Sequence, residues 1–299
     1  MLAIACARAS ATEPPEDLPP AIFTDPAPDA LHPAGEQAVQ FRSHGALLNA
    51  LVYNPPGGGV HPAALLFHGL PGNELNLDLA QTLRRAGWTV VTFHYTGSWG
   101  SGGRFTLRRG IDDAVALLAH MREPRIAQAW GIDPTRILLI GHSYGGYIAA
   151  RLTAGEPGIQ GLILLAPWDA SFDQRKWSRL ATAARHRAAA ADFDDVDGRL
   201  TGATYATLEA EVMKDGAKLD LAQLAPALTN RPVLLITCTR DDEDDQAADF
   251  LAHMQRLNPP GFTSERMDTD HSFNSQRIAL EALILHWTDA QHLTPIAEK

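Results

Sequence analysis

Short apolar runs alternate with longer stretches of helical spacing along most of the chain. Ala38-Val39-Gln40-Phe41-Arg42 and residues 46–53 read as two strands, joined at the turn-forming triplet Ser43-His44-Gly45. Residues 55–59, rich in Pro and Gly, form a loop. Ala63-Ala64-Leu65-Leu66-Phe67 is apolar at every position, which suits a strand buried on both faces. Leu75, Leu79 and Leu83 stand four apart and the pattern stops at Gly87, predicting a helix over 75–86. Further strands are expected at 88–93, 136–140, 162–165 and 232–237, and helices at 109–121, 144–153 and 275–288. A glycine-rich loop occupies 97–103.

Strands alternating with helices predict an α/β protein: a mostly parallel sheet with helices on both faces. Residues 171–230 break the rhythm, because they carry only Ala-rich and charged sequence of helical character. A segment of this size is small for its own core, so it is expected as a helical cap inserted into one domain spanning 37–299. The preceding residues, 1–36, divide in two. Residues 1–11 are small and apolar and contain Ala9-Ser10-Ala11, which is similar to a signal-cleavage site, but the basic start and long apolar stretch of a full signal are missing. Ala3-Ile4-Ala5-Cys6 is faintly similar to a lipoprotein box. A signal remnant would imply a periplasmic or secreted protein, a plain flexible end a cytoplasmic one. Residues 12–33, rich in Pro, Glu and Asp, are expected to be a disordered lead-in.

Composition narrows the partners. The chain has 299 residues and is 45% hydrophobic, enough for a full core. A formal charge of −10 argues against a nucleic-acid partner, and no apolar run could cross a bilayer. The two cysteines, Cys6 and Cys238, are poorly placed for a structural disulfide, so they do not fix a redox compartment. The acidic run 241–245 lacks the ligand spacing and mid-loop glycine of a calcium site, and no paired histidines suggest zinc. No metal is expected.

The candidate chemistry centres on Gly141-His142-Ser143-Tyr144-Gly145, between an expected strand and an expected helix. A serine hydroxyl is a poor nucleophile until a base takes its proton and the backbone presents it. A sharp strand-to-helix turn does the presenting, and it needs residues without Cβ on either side, as Gly141 and Gly145 provide. An oxyanion needs two preplaced N–H donors. Tyr144, after the nucleophile, is one candidate. Leu70, in His68-Gly69-Leu70-Pro71-Gly72 after an earlier strand, is the other. A base and its orienting acid should follow in the order serine, acid, histidine. His271 in Asp270-His271-Ser272-Phe273 is the candidate base. Asp241, the first carboxylate after the strand 232–237, is the candidate acid, with Asp242 next.

These segments together resemble the prolyl oligopeptidase-like and dienelactone hydrolase-like branches of the α/β-hydrolase superfamily. Asp133 through Gly146 is similar to their elbow region, His68 to Gly72 to their oxyanion loop, and Asp270 to Phe273 to their histidine loop. Thr96 stands where an arginine is common, and Thr237-Cys238-Thr239-Arg240-Asp241 replaces the usual His-Gly-x-x-Asp. The resemblance covers roughly Gln37 to Trp287 and implies the α/β-hydrolase fold, a Ser143–Asp241–His271 triad and a hydrolase without cofactor.

The expected activity is cleavage of a carboxylic ester through an acyl-serine, with a small ester or short peptide as partner. A serine peptidase of the prolyl oligopeptidase type is the alternative, and a catalytically silent binding module is the non-enzyme one. Trp99, Trp168 and Trp177 are the expected substrate-pocket walls. The oligomeric state is open.

Overall fold

The computed structural model describes residues 18–241 and 244–294. The cleavage-like site at 9–11, Cys6, the start of the lead-in, Asp242 and Glu243 lie outside the described residues.

Two strands open the fold. β1 (Gly35–Ser43) pairs antiparallel with β2 (Ala46–Asn54) in register Ser43↔Ala46. His44 and Gly45 close the hairpin with positive φ, of 45° and 87°. There follow β3 (His61–Phe67), α1 (Leu77–Arg85), β4 (Thr89–Phe93), α2 (Leu107–Met121), α3 (Pro124–Ala129), β5 (Ile132–His142), α4 (Tyr144–Gly155) and β6 (Ile159–Leu165). A helical stretch intervenes: α5 (Ala170–Ser178), α6 (Thr182–Asp192) and α7 (Tyr205–Asp215), then short tight turns up to Leu228. The chain ends with β7 (Val233–Cys238), α8 (Ala248–Leu257), β8 (Phe262–Met267) and α9 (Arg277–Ala290).

The strands form one eight-stranded sheet in the order β1-β2-β4-β3-β5-β6-β7-β8, parallel from β4 to β8. Leu65 at its centre is paired with Val91 on one side and Leu139 on the other. Alternate side chains enter two cores. Leu65, Val91, Leu139, Leu164 and Leu235 pack toward α2, α4 and α8. Leu66, Val90, Ile140, Ile163 and Ile236 pack toward α1 and α9. Burial on both faces is why the inner strands read as unbroken apolar runs. The expected α/β sheet with helices on both faces is the observed one.

Besides the short unexpected helix α3, two segments differ from the sequence expectation. β8 was not expected: its sequence, Phe-Thr-Ser-Glu-Arg-Met, is polar because it is an edge strand with one partner. Residues 18–33, expected as disordered lead-in, instead lie on the body. A short turn at Pro20–Ile22 is held by the Arg85 guanidinium, which donates to the carbonyls of Ala21 and Ile22, and both residues pack against the α1–α9 core. An arginine from the folded domain supplies the ordering that composition alone does not reveal.

The connections reverse direction at β3: the chain leaves it for β4 on one side and returns to β5 on the other. At such a switch point the loops beyond the carboxyl ends of two neighbouring strands diverge and leave a crevice. The loops after β3 and β5 carry Leu70 and Ser143.

Candidate active site

Ser143 follows the last residue of β5 and precedes the first of α4, with φ 54° and ψ −123°. For a residue with a Cβ this backbone costs about 1–2 kcal/mol. It is held by neighbours: the Ser143 N–H donates to Leu165 O at 3.0 Å, and its carbonyl accepts from Gly146 at 2.8 Å and Trp168 at 3.0 Å. A Cβ on Gly141 would collide with the Gly145 carbonyl, and one on Gly145 with the Phe67 carbonyl. Both glycines therefore permit the close passage of α4 over the end of β3.

Ser143, Leu70, Tyr144, Trp168 and His271 line one cavity of about 130 Å³. Among the described residues, neither the Leu70 nor the Tyr144 amide donates a hydrogen bond. For Tyr144 this follows from its place in the first turn of α4, where an N–H has no helical acceptor. Gly69 is also constrained, since a Cβ there would lie 2.9 Å from Ser143 Cβ.

His271 lies in the turn after β8. Its Nδ1 is 2.7 Å from Asp241 Oδ2, in the loop after β7, and the Asp241 side chain is 5% exposed. The two loops are laced together. Arg240 N–H donates to Thr269 O at 3.0 Å, and the Arg240 guanidinium donates to Asp268 O at 2.9 Å and Ser275 Oγ at 2.7 Å. Asp270 accepts from the Asn274 backbone and side chain at 2.8 and 2.9 Å. Arg277 donates to Ser272 O at 3.1 Å while gripping Asp78 with two nitrogens, tying the histidine turn to α1.

His142 is a site residue that sequence reasoning passed over. It is buried, its ring centroid lies 4.7 Å from that of His271, and its Nε2–H donates to the His271 carbonyl at 2.9 Å. Burial, followed by the nearby His271, pushes its pKa down to about 3, so it is neutral. His68 behaves alike: burial pushes it to about 3, and its Nδ1–H donates to Gly69 O at 2.6 Å. The only sequence signal for His142 was its place inside the pentapeptide.

The structure separates the three expected pocket tryptophans. Trp168 lines the Ser143 cavity. Trp177 stands one layer behind it, fully buried, with its Nε1–H donating to Asp192 Oδ2 at 3.2 Å. Trp99 lies outside the cavity and half exposed; its Nε1–H donates to Pro71 O at 2.8 Å, bracing the Leu70 loop from behind. Further lining comes from residues not singled out in the sequence: Asp192 at the end of α6, and Phe193, Asp195 and Val196 just after it. Their trace in sequence was one aromatic and one aliphatic residue three apart within an acidic run. Burial and the adjacent Asp194 raise the Asp195 carboxyl.

Among the described residues, no group of three or more His, Cys, Asp or Glu side chains is placed to hold a metal, and no helix is long and apolar enough to cross a membrane.

A comparison with curated protein sequences returns no match. Among solved structures, Est1E of Butyrivibrio proteoclasticus, with ferulic acid bound, is similar at TM-score 0.66 and 18% identity, over 85% of this chain and 99% of that one. The Pyrococcus furiosus esterase Pf2001 is similar at TM-score 0.62 and 14% identity, over 86% and 93%. The Pyrococcus horikoshii acylaminoacyl peptidase is similar at TM-score 0.64 and 17% identity, over 89% of this chain and 43% of that one. At these identities the likeness is one of fold. Residues 64–282 match the model of the alpha/beta hydrolase family, which is most of the chain, and the protein belongs to that family.

Proposed function

We propose that the protein is a serine hydrolase that cleaves carboxylic esters through an acyl-serine intermediate. Ser143 Oγ attacks the ester carbonyl carbon as its proton passes to His271 Nε2. The carbonyl π pair moves to oxygen, and the N–H groups of Leu70 and Tyr144 hold that oxyanion. Asp241 accepts from His271 Nδ1–H, which leaves Nε2 as the base and stabilises the imidazolium. Collapse expels the alkoxide, protonated by His271. Water, deprotonated by His271, then attacks the acyl carbon and releases Ser143.

The observation that carries this reading is the cavity lined together by Ser143, His271, Leu70 and Tyr144, the last two with amides that donate to no acceptor among the described residues, with Asp241 buried 2.7 Å from the imidazole. The small cavity favours a small ester over a peptide. The solved esterase and acylaminoacyl peptidase of similar fold are compatible with either bond.

The test is Ser143→Ala with p-nitrophenyl butyrate as substrate. Turnover is expected to fall by about a millionfold or below detection, while circular dichroism and Tm stay those of the wild type. Appreciable turnover by the folded variant contradicts the assignment.

A further inference from the structure

The cavity over Ser143 is bounded by a wall whose parts are fixed rather than loose. Phe193 lies edge-on to Trp168, with ring centroids 6.4 Å apart and planes at 69°, and edge-on to Trp177 at 6.0 Å and 82°. Each indole is pinned by its N–H: Trp168 donates to Asp173 Oδ2 at 2.7 Å and Trp177 to Asp192 Oδ2 at 3.2 Å. Phe193 is 6% exposed and Val196 fully buried. Edge-to-face aromatic contacts of this kind add about 0.5–1.5 kcal/mol each beyond burial, so the Phe193 ring resists being pushed aside.

The space inside that wall is about 130 Å³. Small-molecule sites usually measure about 300–1,000 Å³, so the space beside Ser143 suits a short chain. In an acyl-serine intermediate the alcohol has gone, and the acyl chain is the part that stays beside the Leu70 and Tyr144 amides. Two carboxylates stand in the same wall. Asp192 lies 3.8 Å from Lys176 Nζ, and Asp195 accepts from Asn73 Nδ2 at 2.8 Å and lies 3.9 Å from Arg199 Nη1. Both carboxylates line the cavity, so an anionic chain would enter beside them.

We infer that Phe193 and Val196 are the residues that set acyl-chain length, and that the substrates are esters of short acids, of about the size of acetate to butyrate, whose acyl chain carries no negative charge. This rests on the acyl-serine reading above.

The experiment measures kcat/KM for p-nitrophenyl acetate, butyrate and octanoate, and for methyl butyrate beside monomethyl succinate. It uses the wild type, Phe193→Ala, Phe193→Leu and Val196→Ala, each first checked for fold by circular dichroism. Wild type should favour butyrate over octanoate by at least about tenfold, the least that one misfitting methylene costs in an apolar pocket. Phe193→Ala should raise the octanoate-to-butyrate ratio by about tenfold or more, with Phe193→Leu and Val196→Ala intermediate. If Phe193→Ala does not fold, the two milder variants carry the test. Monomethyl succinate should be the poorer methyl ester. Wild-type preference for octanoate, or an unchanged chain-length profile in folded variants, overturns the size inference. Equal turnover of the two methyl esters overturns the charge part. A wild type that hydrolyses no ester and takes up no fluorophosphonate at Ser143 instead defeats the underlying reading, so the two failures are distinct.

Discussion

Asp241 and Asp242 are chemically identical neighbours in sequence, and a carboxylate can orient an imidazole only from one side of it. Asp241 meets His271 Nδ1 at 2.7 Å with its side chain almost wholly buried. A carboxylate in that place fixes the tautomer that leaves Nε2 unprotonated, and an amide there would favour the wrong one. Asp241→Asn is therefore expected to lower kcat by about a thousandfold or more, and Asp242→Asn by far less, in assays of the purified variants with p-nitrophenyl butyrate. The reverse order would move the orienting role to Asp242. Ser143, Leu70, Tyr144 and Asp241 could be singled out in the sequence because each follows a strand that its apolar run announces; His271 follows no such run and was singled out by its place just before the last helix. His142 was not. Its contact with the His271 carbonyl joins residues 129 apart in the chain, and nothing local in the sequence encodes it.

At the scale of elements, legibility followed burial. The inner strands β3 to β7 are apolar throughout, and their periodicity marks them. β8 pairs with β7 alone and alternates poorly, so its pattern carries no strand signal. The edge strand nevertheless matters to the site, because the turn after it carries His271, and Arg240 and Arg277 fasten that turn to the β7 loop and to α1. The helical stretch between β6 and β7 was recognisable by the absence of strands, but its placement was not. That Phe193 and Val196 face Ser143 depends on how α6 packs on α7, where Glu209 accepts from Arg185 at 2.7 Å and from His186 at 2.5 Å. Such ties between helices leave no spacing rule within either one. Trp99 and Trp177 illustrate the same limit, since an aromatic residue that lines a cavity and one that braces it from behind are alike in sequence.

For the whole molecule, the buried histidines link stability to pH. His68 and His142 are both held down to about 3 by burial, against an ordinary value of 6.5. Above pH 7 they are neutral folded and unfolded alike and add no pH dependence. As pH falls below 6.5 the unfolded chain binds protons that the folded one refuses, so stability is lost, by about 2 kcal/mol for each residue at pH 5. The carboxyls of Asp113, Asp169 and Glu281, raised by burial, act in the opposite sense at lower pH. The difference between wild type and His142→Gln cancels them. Thermal unfolding should show the wild type losing more Tm between pH 7 and pH 5 than His142→Gln, by on the order of 3 °C; equal losses would contradict a neutral buried His142. The same burial keeps His142 an N–H donor to the turn that carries His271, which places fold stability and the candidate chemistry on one residue. The central claim, that Ser143 is the nucleophile, is tested most directly by treating the folded protein with a fluorophosphonate and mapping the adduct by peptide mass spectrometry. The account predicts one adduct, on Ser143, absent in Ser143→Ala; a folded wild type that stays unlabelled, or labels on another residue, would contradict it.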